Sequence, residues 1–208
     1  MRLDKYLAET AQCTRSAART LVQKGRVRVN GAVCKKADTQ LSEADVVCLD
    51  GAPLRYQQFV YLMVNKPAGV VSAREDARDT TVVDLLGDAY PRRQLFPAGR
   101  LDKTSTGFVL LTDDGVFAHE ILAPKRHVPK RYTVTLDTPL TQEMTDGFAA
   151  GVTLADGTAL SPAQVQALSP DGLQVQVVLR QGVYHQIKRM FGVYGAGVNA
   201  LHRDAIGG

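Results

Sequence analysis

Leu3, Tyr6 and Leu7 recur at i, i+3 and i+4, which predicts a short amphipathic helix over 2–9. Thr14 has the N-cap chemistry for a second helix, with Ala17, Ala18, Leu21 and Val22 on its buried side. That helix ends near Lys24-Gly25, where glycine accepts the left-handed C-terminal position. Arg26-Val27-Arg28-Val29 alternates as a half-buried strand and turns at Asn30-Gly31, and residues 45–49 form another strand turning at Asp50-Gly51. Residues 51–57 have the composition of a linker. From Phe59 onward, short apolar runs are separated by turns. Strands are predicted at 58–65, 69–73, 107–112, 131–136, 163–168 and 173–180, and helices at 81–87, 115–122, 141–149 and 184–193. Strands dominate and helices fall irregularly between them, so the fold class is α+β. We expect a small α/β domain over 1–57 and a larger, mostly antiparallel-sheet domain over 58–208.

Composition narrows the picture. A 45% hydrophobic and 22% charged chain of 208 residues has the material for a proper core. No apolar run approaches a membrane span, and the first residues, Met1-Arg2-Leu3-Asp4-Lys5, lack the apolar stretch of a signal peptide. Cys13, Cys34 and Cys48 are odd in number and lack metal-ligand spacing, which suits reduced thiols and a cytoplasmic location. The four histidines (119, 127, 185 and 202) have no Cys or His partner at ligand spacing, so no metal site is expected. Neither a dinucleotide-binding nor a Walker glycine pattern is present, so no nucleotide cofactor is expected.

Charge is unevenly divided. Residues 1–57 hold ten Lys/Arg against six Asp/Glu, whereas 58–208 hold fifteen of each. The whole excess of +4 therefore sits in the small domain, as in a polyanion-binding attachment. Arg15 and Arg19 lie four apart on one helix face, and Arg2, Lys5, Lys24, Arg26 and Arg28 extend it. Three segments here, Arg2-Leu3-Asp4-Lys5-Tyr6-Leu7, Thr14-Arg15-Ser16 and Gly25-Arg26-Val27-Arg28-Val29-Asn30-Gly31, resemble the S4-type RNA-binding domain. The resemblance implies RNA binding by these seven basic residues and no chemistry of their own.

Candidate chemistry lies in the larger domain. Gly99-Arg100-Leu101-Asp102 places one carboxylate at a polar bend between apolar runs, either as a turn Asp bonding its own backbone or as an acid presented to a cleft. Lys66, in Asn65-Lys66-Pro67-Ala68-Gly69, reads equally as a ligand-facing base or an edge charge. Tyr132, in Lys130-Arg131-Tyr132, is a core aromatic or, if it faces a cleft, a stacking surface for a base. Lys188 follows His185 by three residues and shares its helix face. Lys125-Arg126-His127 are further candidate phosphate contacts, and Asp113-Asp114-Gly115 suits a helix N-terminus.

Taken in order, Gly99-Arg100-Leu101-Asp102 with Thr106-Gly107, Lys130-x-Tyr132, and Tyr184-His185-Gln186-Ile187-Lys188-Arg189-Met190 resemble the RsuA/RluB/E/F class of pseudouridine synthases over essentially the whole chain. The resemblance implies isomerisation of a uridine to pseudouridine without a cofactor, and it assigns the chemistry to Asp102, Tyr132 and Lys188. Asp102 acts at the anomeric carbon, by ester formation or by supporting elimination, Tyr132 stacks on the uracil, and Lys188 pairs with Asp102. Arg100, Lys66, Lys130, His185 and Arg189 are the implied substrate contacts. Ribosomal RNA or an assembling ribosomal subunit is the implied partner, with the enzyme acting as a monomer. Leu201-His202-Arg203-Asp204 with Ile206-Gly207-Gly208 is most similar to members acting on small-subunit rRNA, with large-subunit rRNA the alternative. Such proteins usually continue with a further strand or two. A noncatalytic RNA-binding or assembly protein on the same fold is a rival reading, although a pure binder has no use for Asp102, Tyr132 and Lys188 together.

Overall fold

In the first unit, the N–H groups of Leu3 and Asp4 open α1 (Leu3–Thr10) by donating to the carbonyls of Thr39 and Ala37, so the helix starts without a side-chain cap. The computed structural model describes residues 1–207 apart from 124, 125 and 127. Helix α2 (Arg15–Gln23) does have its cap, since Thr14 accepts from the N–H of Ala17. Gly25 closes it with φ +70°. Strands β1 (Val27–Val29), β2 (Ala32–Val33), β3 (Val47–Leu49) and β4 (Ala52–Leu54) form an antiparallel sheet in the order β2-β1-β3-β4. Its core is Leu3, Leu7, Ala18, Val22, Val27, Leu41 and Val47. Ala17, expected on the buried side of α2, is exposed.

This unit comprises Met1–Val60 together with Gly87–Gln94. Arg93, in the returning segment, donates to the backbone carbonyls of Gln57 and Gln58. A single boundary in the sequence does not describe that arrangement, because the segment belongs to the first unit by contacts made across more than thirty residues of chain.

The second unit, Tyr61–Leu86 with Leu95–Gly208, is built on a seven-stranded sheet. Its strands are β5 (Tyr61–Lys66), β6 (Phe96–Ala98), β7 (Thr106–Thr112), β8 (Lys130–Leu136), β9 (Gln164–Ala167), β10 (Gln174–Leu179) and β11 (Val198–Ile206). The order is β5-β7-β11-β8-β10-β9, with β6 also on β7, and every pairing is antiparallel except β7 with β11. Helices α3 (Gly115–Leu122), α4 (Gln142–Ala150) and α5 (Gln186–Gly192) complete the unit. Val134, Leu136, Val175, Val177, Phe148, Met190 and Phe191 are among the residues of one continuous apolar core. No helix among the described residues is long and apolar enough to cross a membrane.

Two expected elements are absent. Residues 69–73 contribute only an isolated bridge between Val71 and Thr81, and 81–87 give way to a 3-10 segment (Asp84–Ala89) kinked at Gly87. Conversely, β11 was not expected. Its alternation is broken by irregularities between Val198 and Ala200 and between Arg203 and Ala205, and it carries His202, Arg203 and Asp204 into mid-sheet. The pairing of β11 with β7 depends on Gly107. A Cβ there would lie 2.3 Å from the carbonyl oxygen of Arg203, so only glycine lets the two backbones approach.

Candidate active site

Strands β6 and β7 form a hairpin whose loop, 99–105, carries Asp102. The loop is clamped from below. Ser72 Oγ meets both the N–H and the carbonyl of Leu101 at 3.0 Å, and the N–H of Ser105 donates to the Asp102 carbonyl. Lys66 supplies the third clamp. Its fully buried ammonium donates to the carbonyls of Pro67, Lys103 and Ser105 at 2.9, 3.3 and 2.6 Å. Burial pushes the Lys66 amine below its ordinary range, with the charge of Asp102 partly opposing that. In this structure Lys66 braces the Asp102 loop, its three donors being engaged by these carbonyls.

Asp102 stands at the wall of an open cavity of about 720 Å³. Helix α5 and the residue just ahead of it deliver two groups to its carboxylate. His185 Nε2 lies 3.2 Å from Oδ1, and Lys188 Nζ lies 3.7 Å from Oδ2 and 3.4 Å from Thr104 Oγ1. His185 reaches this position from a left-handed backbone (φ 50°, ψ 33°) just ahead of the helix, with its ring stacked on the exposed Tyr184. Gln186 holds the turn by accepting from the N–H of Val183. Tyr132, on β8, is buried in the core and also lines the cavity, so both readings of it describe one ring. Arg100 and Lys130 line the same cavity, Arg100 exposed and Lys130 buried with a hydrogen bond to the Val128 carbonyl.

Arg189 is not brought to this cavity. It pairs with Asp156, whose carboxyl is lowered to about 2, chiefly by hydrogen bonds from Thr158 and then by Arg189 itself. Next to Lys188 in the chain, its guanidinium is engaged with a neighbouring loop in this structure rather than with the cavity expected for it. Arg203, noted in the sequence only within the small-subunit resemblance, was not expected at the site: it is buried, lines the cavity, and lies opposite Tyr132 in the β8–β11 register. A lone Arg in a chain terminus carries no sequence signal for that role. Asp114 caps α3 as expected, accepting from the Phe117 N–H, whereas Lys125 and His127 lie outside the described residues.

The basic residues of the first unit divide into two sets. Arg2 and Arg19 both bind the buried carboxylate of Asp4, at 3.0 and 3.3 Å, and Arg26 pairs with Asp50. Lys5 makes an i,i+4 contact with Glu9, and Arg28 donates to the Gly31 carbonyl. Arg15 and Lys24 are exposed. Arg2, Arg19 and Arg26 thus serve the unit's own structure as well as any RNA. Among the described residues, no three His, Cys, Asp or Glu side chains converge as a metal-ion site.

The open cavity thus gathers one carboxylate, flanked by an imidazole and an ammonium, with a tyrosine in its lining. The family model for RNA pseudouridylate synthase matches residues 60–192, and that for the S4 domain matches residues 1–47. The chain belongs to the RNA pseudouridylate synthase family and is an RNA-binding isomerase of the pseudouridine synthase type. It is 40% identical to the uncharacterized RNA pseudouridine synthase YtzG of Bacillus subtilis, over all of this chain and 88% of that protein. It is 39% identical to ribosomal small subunit pseudouridine synthase A of Escherichia coli K12, over all of this chain and 90% of that one. A crystal structure of a pseudouridylate synthase superposes with a TM-score of 0.66 at 35% identity, covering 99% of this chain and 88% of the other.

Proposed function

We propose that the protein converts one uridine of small-subunit ribosomal RNA to pseudouridine. The observation that carries the site assignment is the convergence of His185 and Lys188 on opposite oxygens of Asp102 beside Tyr132. The choice of RNA is supported by full-length similarity to a relative bearing the small-subunit name. The target uridine leaves its stack and enters the cavity, with Arg100 at the rim helping to hold the flipped nucleotide. Asp102 acts at the anomeric carbon, Tyr132 stacks on the uracil, and Lys188 and His185 position the carboxylate. The basic N-terminal domain anchors the RNA, and the second unit performs the chemistry. In this reading the protein acts as a monomer on rRNA or on an assembling subunit in the cytoplasm.

The test is incubation of the protein and its Asp102→Asn variant with unmodified small- and large-subunit rRNA, separately. Pseudouridine is then mapped by carbodiimide-dependent primer-extension stops. A new stop in small-subunit RNA, absent with the variant, is the expected result. A stop only in large-subunit RNA overturns the choice of target, and tight binding with no stop in either overturns the catalytic reading.

A further inference from the structure

Among the described residues Asp102 is the only carboxylate lining the cavity, yet Arg100, Lys103, Lys130, Arg180, Lys188 and Arg203 all line it. Lys188 is matched with Asp102 and Lys103 with Asp79, and Arg100 is exposed at the rim. Arg203 and Lys130 differ in kind. Both are buried, at 2% and 9% exposure, and neither has an ion-pair partner among the described residues. Arg203 Nε donates to the Phe108 carbonyl at 2.8 Å and Nη1 to the Arg100 carbonyl at 3.3 Å. Its Nη2 is the one buried side-chain nitrogen or oxygen among the described residues without a hydrogen-bond partner. Burying a guanidinium against neutral carbonyls, with a second cation nearby, is costly unless a negative charge arrives during the working cycle. The Lys130 amine reflects the same environment, lowered first by burial and then by the charge of Arg203.

Position says where that charge arises. Arg203 is the cross-strand neighbour of Tyr132, and Lys130 lies two residues from Tyr132 on the same face of β8. Both cations therefore sit beside the ring on which the flipped uracil stacks, rather than at the exposed rim where backbone phosphates pass. We propose that Arg203 and Lys130 form a buried cationic floor that stabilises the negative charge on the uracil ring while it is detached from ribose.

This inference rests on the pseudouridine synthase reading. When the bond from C1′ to N1 breaks, its electron pair leaves with the ring, which becomes a uracil anion spread over N1 and the two carbonyl oxygens. The positive charge left on C1′ is met by the Asp102 carboxylate in the ester route, or discharged as a proton from the neighbouring carbon in the elimination route. The ring rotates and C5 bonds to C1′, displacing the Asp102 carboxylate in the ester route, while in the elimination route the proton taken from the neighbouring carbon returns to it. C5 then loses its proton and N1 gains one, so the net change is an isomerisation with no co-reactant. In either route the detached ring is anionic, and fixed buried cations stabilise it without solvent reorganisation.

The test compares target-site RNAs carrying uridine or 5-fluorouridine, in single turnover, by chromatographic loss of the starting nucleoside after digestion. Fluorine makes the departing ring a weaker base that needs less stabilisation. It blocks the final proton loss from C5, but it does not block cleavage from ribose. Lys130→Met and Arg203→Met should slow uridine loss about 100-fold and 5-fluorouridine loss by a clearly smaller factor, with RNA affinity unchanged. Arg203→Lys should recover part of the rate. If Arg203→Met fails to fold, as judged by thermal melting, Lys130→Met and Arg203→Lys carry the comparison. Equal losses on both RNAs, or a defect in RNA affinity alone, overturn the proposal. A wild-type protein inert toward uridine in every rRNA tested overturns the underlying reading instead.

Discussion

The imidazole Nε2 of His185 lies 3.2 Å from Oδ1 of Asp102, and Lys188, one helical turn further on, approaches the other oxygen at 3.7 Å. One contact comes from the residue just ahead of α5 and the other from the helix's first turn, so one turn-and-helix segment orients both oxygens of the carboxylate. The left-handed backbone at His185 brings its ring into line, and Gln186 fixes that turn. The carboxylate is thus held by the helix in front and by the clamped hairpin loop behind.

Lys188→Met is expected to slow turnover by about 100-fold, the scale for losing one charged contact at a reacting site. RNA affinity should be nearly unchanged, because Lys188 faces Asp102 rather than the rim. Lys188→Arg should recover most of the rate, since a guanidinium reaches the same oxygen. Single-turnover kinetics beside a filter-binding titration separate the two quantities. A parallel loss of affinity in Lys188→Met would show that the ammonium contacts RNA directly.

The Asp102 hairpin was legible in the sequence because its signals are local: two apolar runs, a bounding glycine and a short polar bend. Helix α3 was legible for the same reason, down to its Asp114 cap. What escaped was non-local. Strand β11 reads as a polar tail until β7 and β8 flank it, and Lys66 looks like an edge charge until three carbonyls from one loop converge on it. The segment 87–94 carries no local mark of the unit it joins. Arg2 and Arg19 read as free positive charge because the carboxylate that takes them, Asp4, is seen to be buried only once α1 and α2 are packed.

Lys66→Met should destabilise the second unit by about 2–4 kcal/mol, because it strands up to three buried carbonyls that the ammonium now satisfies. The loop carrying Asp102 is among those left unsupported, so turnover should fall even at temperatures where the variant remains folded. Denaturant unfolding and single-turnover rates measured together test this. A variant of unchanged stability with reduced RNA affinity would return Lys66 to the role of a substrate contact.

Arg15 and Arg19 share a face of α2 but should behave differently. Arg15 is exposed, so Arg15→Ala should leave the melting temperature unchanged, weaken RNA binding, and reduce the slope of log K against log salt by about one. Arg19 holds Asp4, so Arg19→Ala should also lower the melting temperature of the first unit by a few degrees. Equal thermal behaviour of the two variants would show that the Arg19–Asp4 contact contributes nothing to stability.

Asp4 sets an acid limit on the first unit. Its carboxyl lies below the ordinary 3.8, chiefly through the hydrogen bond from Arg2, then the charge of Arg2 and the contacts of Arg19, against an opposing effect of burial. A carboxylate whose folded-state pKa is depressed stabilises the fold fully above its unfolded value, and that contribution disappears as pH falls through the folded value. Asp4→Asn should therefore lower the melting temperature by a few degrees at pH 7. The gap to the wild type should stay constant down to about pH 4 and narrow only below that, as the wild-type carboxylate takes up its proton. Melting curves of both proteins from pH 7 to pH 2.5 give the comparison, with the unit followed by its own helical signal. A gap that closes well above pH 4 would mean that Asp4 is not held in its charged form by the two arginines. A gap that persists unchanged to the acid end would mean that the side chain's shape, rather than its charge, stabilises the unit.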